Sequence, residues 1–173
     1  MSVVAETERF TLRPWTSEDV EAGLRVWGDP EVMRYVDGGQ ALDEDGVRRC
    51  IEAGAAYFAK FGIQHWAVER RVDGKVLGCC GFSLWEEGPD LELVCHLAVD
   101  AWRQGVATEA AGAVIAWAGA NRAPVTIFGS ADPSNTGSLR LMEKLGMTFM
   151  ENRWFDDVQQ HEPLYRLSVA PKV

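Results

Sequence analysis

The sequence predicts an α/β fold organised on a mixed sheet, and three observations carry that reading. Apolar residues recur at helical spacing over the first third of the chain, then change near Gln64 to the alternation of strands. Turn signals punctuate the strand-rich middle at Asp73-Gly74 and at Glu86-Glu87-Gly88-Pro89-Asp90. The last part runs strand, helix, strand, helix, strand, an order that lays helices on a sheet. The length of 173 residues is about that of one domain. No internal repeat and no linker rich in Pro, Gly or Ser divides it, so residues 1–173 read as a single domain.

The elements follow in order. Glu8 to Arg13 alternates, with Phe10 and Leu12 on one side and Thr11 and Arg13 on the other, and Pro14 ends this short strand. Thr16 is placed to cap a helix whose first turn carries Glu18 and Asp19. Val20, Leu24 and Trp27 form its stripe, and Gly28 stops it. Asp29-Pro30 opens a second, short helix. Asp43 to Lys60 is a third, on the spacing of Val47, Cys50, Ile51 and Ala55. Trp66 and Val68 belong to the next strand, and Val76 to Trp85 returns after the Asp73-Gly74 turn. Leu91 to Val99 is nearly all apolar, the pattern of a central strand buried on both faces. An Ala-rich helix then runs to near Gly119, followed by a strand at Val125 to Phe128. Asn135 to Leu145 is a helix closed by Gly146, and Met147 to Trp154 and Leu164 to Val169 are the last strands.

Composition narrows the function. Hydrophobic residues make up 47% and charged residues 25%, values of a globular protein that exclude disordered and collagen-like classes. Lys and Arg number 17 against 26 Asp and Glu, a net charge of −9. Such a chain repels phosphate backbones and anionic membranes, so neither nucleic acid nor membrane is an expected partner. A cationic or amine-bearing partner would be attracted, although acidity is equally a route to solubility. No apolar run approaches the roughly 18 residues of a membrane span. Met1 to Arg13 holds four charged residues and no signal core, so the expected location is cytoplasmic. Cys50, Cys79, Cys80 and Cys95 fit neither a zinc site nor a disulfide framework, and no metal is expected.

Two stretches carry chemistry. Strand 91–99 feeds Gln104-Gly105-Val106-Ala107-Thr108, and a helix starts at once. The first helical turn offers free N–H groups and the positive end of the dipole, and small residues let a phosphate approach. Arg103 adds a cation and Thr108 a hydroxyl. The same Gly105 and Ala107 would also allow tight packing of the helix on the sheet. The Gly-x-Gly-x-x-Gly and Gly-Lys-Ser/Thr patterns are both missing. The second stretch is Asn135 to Gly146, where Leu139, Met142 and Leu145 form a core stripe. There Asn135 is a cap or a ligand contact, and Ser138 lies in the first turn.

Four blocks in this order resemble the GNAT N-acetyltransferase superfamily, and within it the ribosomal-protein N-terminal acetyltransferase (RimJ/RimL-like) branch. They are Arg9 to Trp15 with Ser17-Glu18-Asp19, Val76 to Gly81, Glu92 through Trp102 to Ala110, and Asn135 through Ser138 to Gly146. The match spans about residues 7–168. The resemblance implies a mixed, mostly antiparallel sheet splayed between its fourth and fifth strands, with helices on both faces. It implies acetyl-CoA as donor substrate and no metal. Leu97, Ala98 and Val99 would present free backbone groups to the pantetheine arm. The backbone from Gln104 through Gly105, Val106 and Ala107 to Thr108 would hold the pyrophosphate, beside Arg103. Asn135 and Ser138 would line the thiol end. Trp102 stands where the wider family carries Gln or Arg.

The implied reaction is direct transfer to a primary amine, which must lose a proton to attack. Glu92 is the first candidate base, because an acid in an apolar strand is costly unless paired or used. His96, four residues on and on the same strand face, is the second. Ser138 is the implied acid for the leaving thiolate, with Tyr165 as the alternative. Trp27, Tyr35, Trp85 and Trp154 lie on acceptor-side segments. The expected acceptor is a protein or peptide N-terminal amine. A small amine such as a polyamine, aminoglycoside or amino acid is the alternative, and a non-catalytic acyl-CoA-binding module is the reading from another class. The chain would act as a monomer or homodimer.

Overall fold

The computed structural model describes residues 3–171. Eight strands form one sheet: β1 (Ala5–Glu6), β2 (Phe10–Arg13), β3 (His65–Arg70), β4 (Val76–Leu84), β5 (Leu91–Leu97), β6 (Val125–Ser130), β7 (Thr148–Phe155) and β8 (Gln160–Val169). Their spatial order is β1-β2-β3-β4-β5-β6-β8-β7. Every pairing is antiparallel except β5 with β6. Five α-helices accompany the sheet: α1 (Val20–Trp27), α2 (Pro30–Met33), α3 (Glu44–Phe61), α4 (Val106–Asn121) and α5 (Thr136–Lys144). The predicted α/β class with a mixed, mostly antiparallel sheet is the one observed.

The splay needs a correction. The fourth and fifth strands, β4 and β5, pair over seven residues from Gly78↔Leu97 to Leu84↔Leu91. The gap lies one strand later. β5 and β6 pair only at Leu91↔Ile127 and Glu92↔Phe128, in parallel, and no partner follows. The count shifts because β1 adds a two-residue strand that pairs with β2. Two residues are too few to show an alternating pattern, so the sequence carries no sign of β1. The same gap explains a second difference. Only Leu91 and Leu97 of β5 are buried, and the residues between them are half-buried rather than enclosed on both faces.

Helices cover both faces. Trp15, Val26, Trp27, Val47 and Ile51 pack against Ala67, Cys79 and Ala98 on one face. Val106, Ala110, Val114 and Met142 pack against Leu12, Trp66, Cys80 and Phe82 on the other. The alanines of α4 let the helix lie against the sheet, and Ala110, Ala111 and Ala118 are fully buried. The caps expected at Thr16 and Gly146 are present, and Asp43 caps α3 rather than opening it. The Thr16 side chain accepts from Glu18 N–H, Asp43 Oδ1 accepts from Gly46 N–H, and Gly146 turns with φ +77°. α4 runs past Gly119 to Asn121, and β7 is an exposed edge strand.

One ion pair fastens β2 to the helical layer. Arg13 donates to both carboxylate oxygens of Asp19 at 2.8 and 2.9 Å and to Glu69 at 2.7 Å. Asp19 also accepts from the Thr16 N–H and hydroxyl. Burial pushes the Asp19 carboxyl upward, but the bonds from Arg13 and Thr16 hold it below the usual range. Removing one partner of such a pair leaves a buried charge uncompensated. Arg13→Met should therefore lower the unfolding free energy by about 3–5 kcal/mol, read as a drop in urea midpoint at pH 7. A loss under 1 kcal/mol would show that the pair is not needed.

Candidate active site

The junction from β5 to α4 is held by residues at its own ends. A single 3-10 turn at Val99–Ala101 follows the strand. Gly105 then caps α4 with φ +75°, and Arg103, not a glycine, sits at φ +61°. Two left-handed residues around Gln104 turn the chain sharply into the helix. The Trp102 indole N–H donates to the Leu97 carbonyl at 2.8 Å, and Gln104 Nε2 donates to the Asp100 carbonyl at 2.6 Å. The first turn of α4, from Val106 to Thr108, has N–H groups with no intrahelical acceptor.

Arg9 completes this corner, a role the sequence did not reveal. Its guanidinium donates to the Gln104 carbonyl at 3.0 Å and to Glu109 at 2.7 Å. Its backbone N–H donates to the other Glu109 oxygen at 3.1 Å. A Cβ at residue 105 would lie 3.3 Å from Arg9 Nη2. The left-handed backbone conformation therefore favours glycine at 105, while a Cβ there would meet only the tip of the Arg9 side chain.

The strand end differs from the expectation that Leu97, Ala98 and Val99 have free backbone groups. The Leu97 carbonyl is taken by Trp102, and Ala98 N–H donates to the Leu77 carbonyl. The Ala98 and Val99 carbonyls accept from Ala101 and Trp102 N–H. The tight 3-10 turn consumes these groups locally. On the β6 side, the stretch of β5 without a strand partner is residues 93–97.

Glu92 and His96 do share one face of β5, opposite Ser83 and Cys79 of β4. His96 Nδ1 accepts a long 3.4 Å bond from the Trp27 indole N–H. The neutral ring therefore carries its own proton on Nε2. Burial pushes the His96 pKa down to about 4. Asn135 and Ser138 meet at the start of α5, where Asn135 Oδ1 accepts from Ser138 N–H at 3.2 Å, so Asn135 is a cap. Tyr165 is buried beside Phe149, with ring centroids 5.7 Å apart.

A cleft of about 220 Å3 opens on the Glu92 face between α1, α3 and the sheet. Trp15, Trp27, Tyr57, Gln64, His65 and Ser83 line it. Trp15 and Trp27 lie 4.8 Å apart, and the Trp15 indole N–H donates to the His65 carbonyl. His65 Nε2 and Ser83 Oγ are bonded at 2.9 Å, and Ser83 stands opposite Glu92. Of the expected aromatics only Trp27 reaches this cleft. Trp85 stacks on Phe128 at 4.7 Å, Tyr35 lies under Arg34, and Trp154 is exposed with its indole on Asp156. His65 and Ser83 escaped notice because only the strand register brings them to Glu92.

Several acidic residues near the helical layer and the β4–β5 turn are engaged locally. Asp43 caps α3, Glu44 pairs with Arg48, and Glu86 pairs with Arg153. Among the described residues no group of three or more His, Cys, Asp or Glu could hold a metal ion. Among the described residues no helix is long and apolar enough to cross a membrane.

Comparison with known proteins agrees with this geometry. The family model for the acetyltransferase (GNAT) domain matches residues 9–148. The uncharacterized N-acetyltransferase YoaA of Bacillus subtilis is 29% identical over 153 residues, covering 84% of this chain and 83% of that protein. An acetyltransferase crystal structure from Agrobacterium tumefaciens superposes with TM-score 0.79 at 25% identity, over 96% of this chain and 95% of the other. A ribosomal L7/L12 α-N-protein acetyltransferase solved with coenzyme A shares the fold at TM-score 0.83 and 10% identity, over 99% and 100% of the chains. The chain belongs to the GNAT acetyltransferase domain family and is an N-acetyltransferase.

Proposed function

We propose that the protein transfers an acetyl group from acetyl-CoA directly to the N-terminal amine of a protein or peptide, as in the ribosomal-protein acetyltransferase branch. The observation that carries this reading is the left-handed Gly105 at the start of α4, next to a strand that loses its β6 partner after Glu92, with Glu92 on its face. A fold neighbour that is an α-N-protein acetyltransferase solved in complex with coenzyme A supports the donor and the acceptor class.

The residues present fit the donor. The N–H groups from Val106 to Thr108 and the α4 dipole suit a pyrophosphate, and Arg9 and Arg103 add positive charge. When bound, the donor supplies an activated thioester. The amine nitrogen bonds to the acetyl carbon, the carbon–sulfur bond breaks, and the electron pair leaves on sulfur. Glu92 takes the proton lost by the amine, directly or through water, and Ser138 gives a proton to the thiolate. His96 is a poorer base, because its only lone pair already accepts from Trp27. Its neutral ring instead keeps a second positive charge away from the amine.

Three measurements test this. Acetyl-CoA at about 100 times its dissociation constant should add roughly 2.7 kcal/mol to stability, seen as a rise in melting temperature that adenosine does not give. Gly105→Glu should abolish that rise, since the new carboxylate crowds and repels the pyrophosphate; a retained rise would remove the loop from the donor site. Glu92→Gln should lower kcat by roughly 10²–10⁴ at pH 7 with unchanged donor affinity, and an unchanged rate would remove Glu92 as base. The third concerns His96. With its folded pKa about 4 and an unfolded value near 6.5, the unfolded chain binds the extra proton. Stability should therefore fall as pH drops from about 6.5 to 4 and be unaffected above. His96→Gln should flatten that limb in urea midpoints taken at pH 7 and 5.

A further inference from the structure

We infer that Cys80 and Cys95 form a reversible oxidation site for low-molecular-weight disulfides, in which Cys95 reacts first and Cys80 displaces the adduct. This goes beyond the transfer reaction and does not depend on it.

Register brings the two residues together. All four cysteines are free thiols. Their spacing along the chain suggests no pairing, but the β4–β5 ladder sets Cys80 directly opposite Cys95. Both side chains belong to the apolar layer that also holds Phe82, Leu93 and Leu97. The Cys80 thiol donates to the Cys95 sulfur. Directly opposed residues of an antiparallel pair have Cα atoms about 4.5–5.5 Å apart. A disulfide needs roughly 4.4–6.8 Å. The bond can therefore close while both strands keep their register.

The two thiols are not equivalent. Cys80 is fully buried, whereas Cys95 is half-buried. Cys95 also lies in residues 93–97, where β5 has no β6 partner, so its strand is uncovered along that edge. The bond to Cys95, and then burial, hold the Cys80 thiol protonated above its ordinary range. The attacking species is a thiolate with access to the oxidant, so the reaction starts at Cys95. The other two cysteines lack this arrangement. Cys79 is fully buried on the opposite face, among Trp27 and Val47, and Cys50 comes from α3. No strand register holds that pair face to face, and burial pushes the Cys79 thiol up.

The exchange balances without a further reactant. The Cys95 thiolate attacks one sulfur of the small disulfide, whose sulfur–sulfur bond breaks. The first small thiolate leaves and takes up the proton lost by Cys95. Cys80 then gives up its proton and attacks the Cys95 sulfur, and the second small thiolate leaves with that proton. Two protein thiols are oxidised, and one small disulfide is reduced to two thiols. Proximity compensates for the low acidity of Cys80. Excess dithiothreitol drives the same steps backward.

The test treats the native protein with 2-hydroxyethyl disulfide and follows its intact mass. The wild-type mass should fall by two hydrogen atoms, and two of the four thiols should remain. Dithiothreitol should restore all four. Cleavage after glutamate separates the partners, since Glu86, Glu87 and Glu92 lie between them, and the bridge should join the Cys80 fragment to the Cys95 fragment. Cys79→Ala should keep the bridge. Cys80→Ala should stop at one mercaptoethanol adduct on Cys95, and Cys95→Ala should form neither bridge nor adduct at these two positions. The wild-type fragment map needs no variant to fold. An unchanged mass, an adduct that persists on wild-type Cys95, a bridge to Cys50, or loss of the bridge in Cys79→Ala would overturn the assignment.

Discussion

The parallel ladder between β5 and β6 ends at Glu92 and Phe128, and the rest of the molecule is arranged around that early stop. A sheet normally satisfies its backbone by continuing, so a strand that loses its neighbour must be braced elsewhere. Here β4 holds β5 along its whole length, and the 3-10 turn after Leu97 consumes the next backbone groups. β6 is held in turn by six residue pairs with β8. The two halves of the sheet are each complete, and only the line between them is open. That line has the start of α4 at one end and the face of Glu92 beside it.

Charge is spent in local clusters rather than as a broad field. Arg13 is shared by Asp19 and Glu69, and Asp100 is shared by Arg25 and Lys75. The Lys75 bond leads in holding the Asp100 carboxyl below its usual range. This second cluster ties α1 and the start of β4 to the turn that follows β5. Such exposed pairs add little stability singly. Their place is what counts, since they fix the turn from which the Gly105 loop departs.

Much of the fold was legible because its signals are local. Thr16, Asp43, Asn135 and Gly146 announce helix ends through side chains or backbone freedom that act within four residues. Gly105 was legible for the same reason. What depends on partners far along the chain was not. The family resemblance puts the splay between the fourth and fifth strands, and the two-residue β1 of this chain moves it one strand on. The helix expected to end near Gly119 runs to Asn121, where Arg122 N–H still finds the Ala118 carbonyl. The cleft is the clearest case: Trp15, Tyr57, Gln64 and Ser83 come from four separate segments, and only register and helix packing assemble them. Arg9 reaches Gln104 and Glu109 across some hundred positions, beyond any pattern in the sequence.

That reach of Arg9 has a consequence for how the chain ends can be handled. The residue belongs to the entry of the second strand, yet its bonds lie on the loop before α4. Arg9 is thus a structural part of the loop that enters α4. A cut or fusion that pulled Arg9 aside would leave the two hydrophobic layers untouched. It would present as a well-folded protein with a loosened turn into α4, a local defect to which a melting curve is nearly blind.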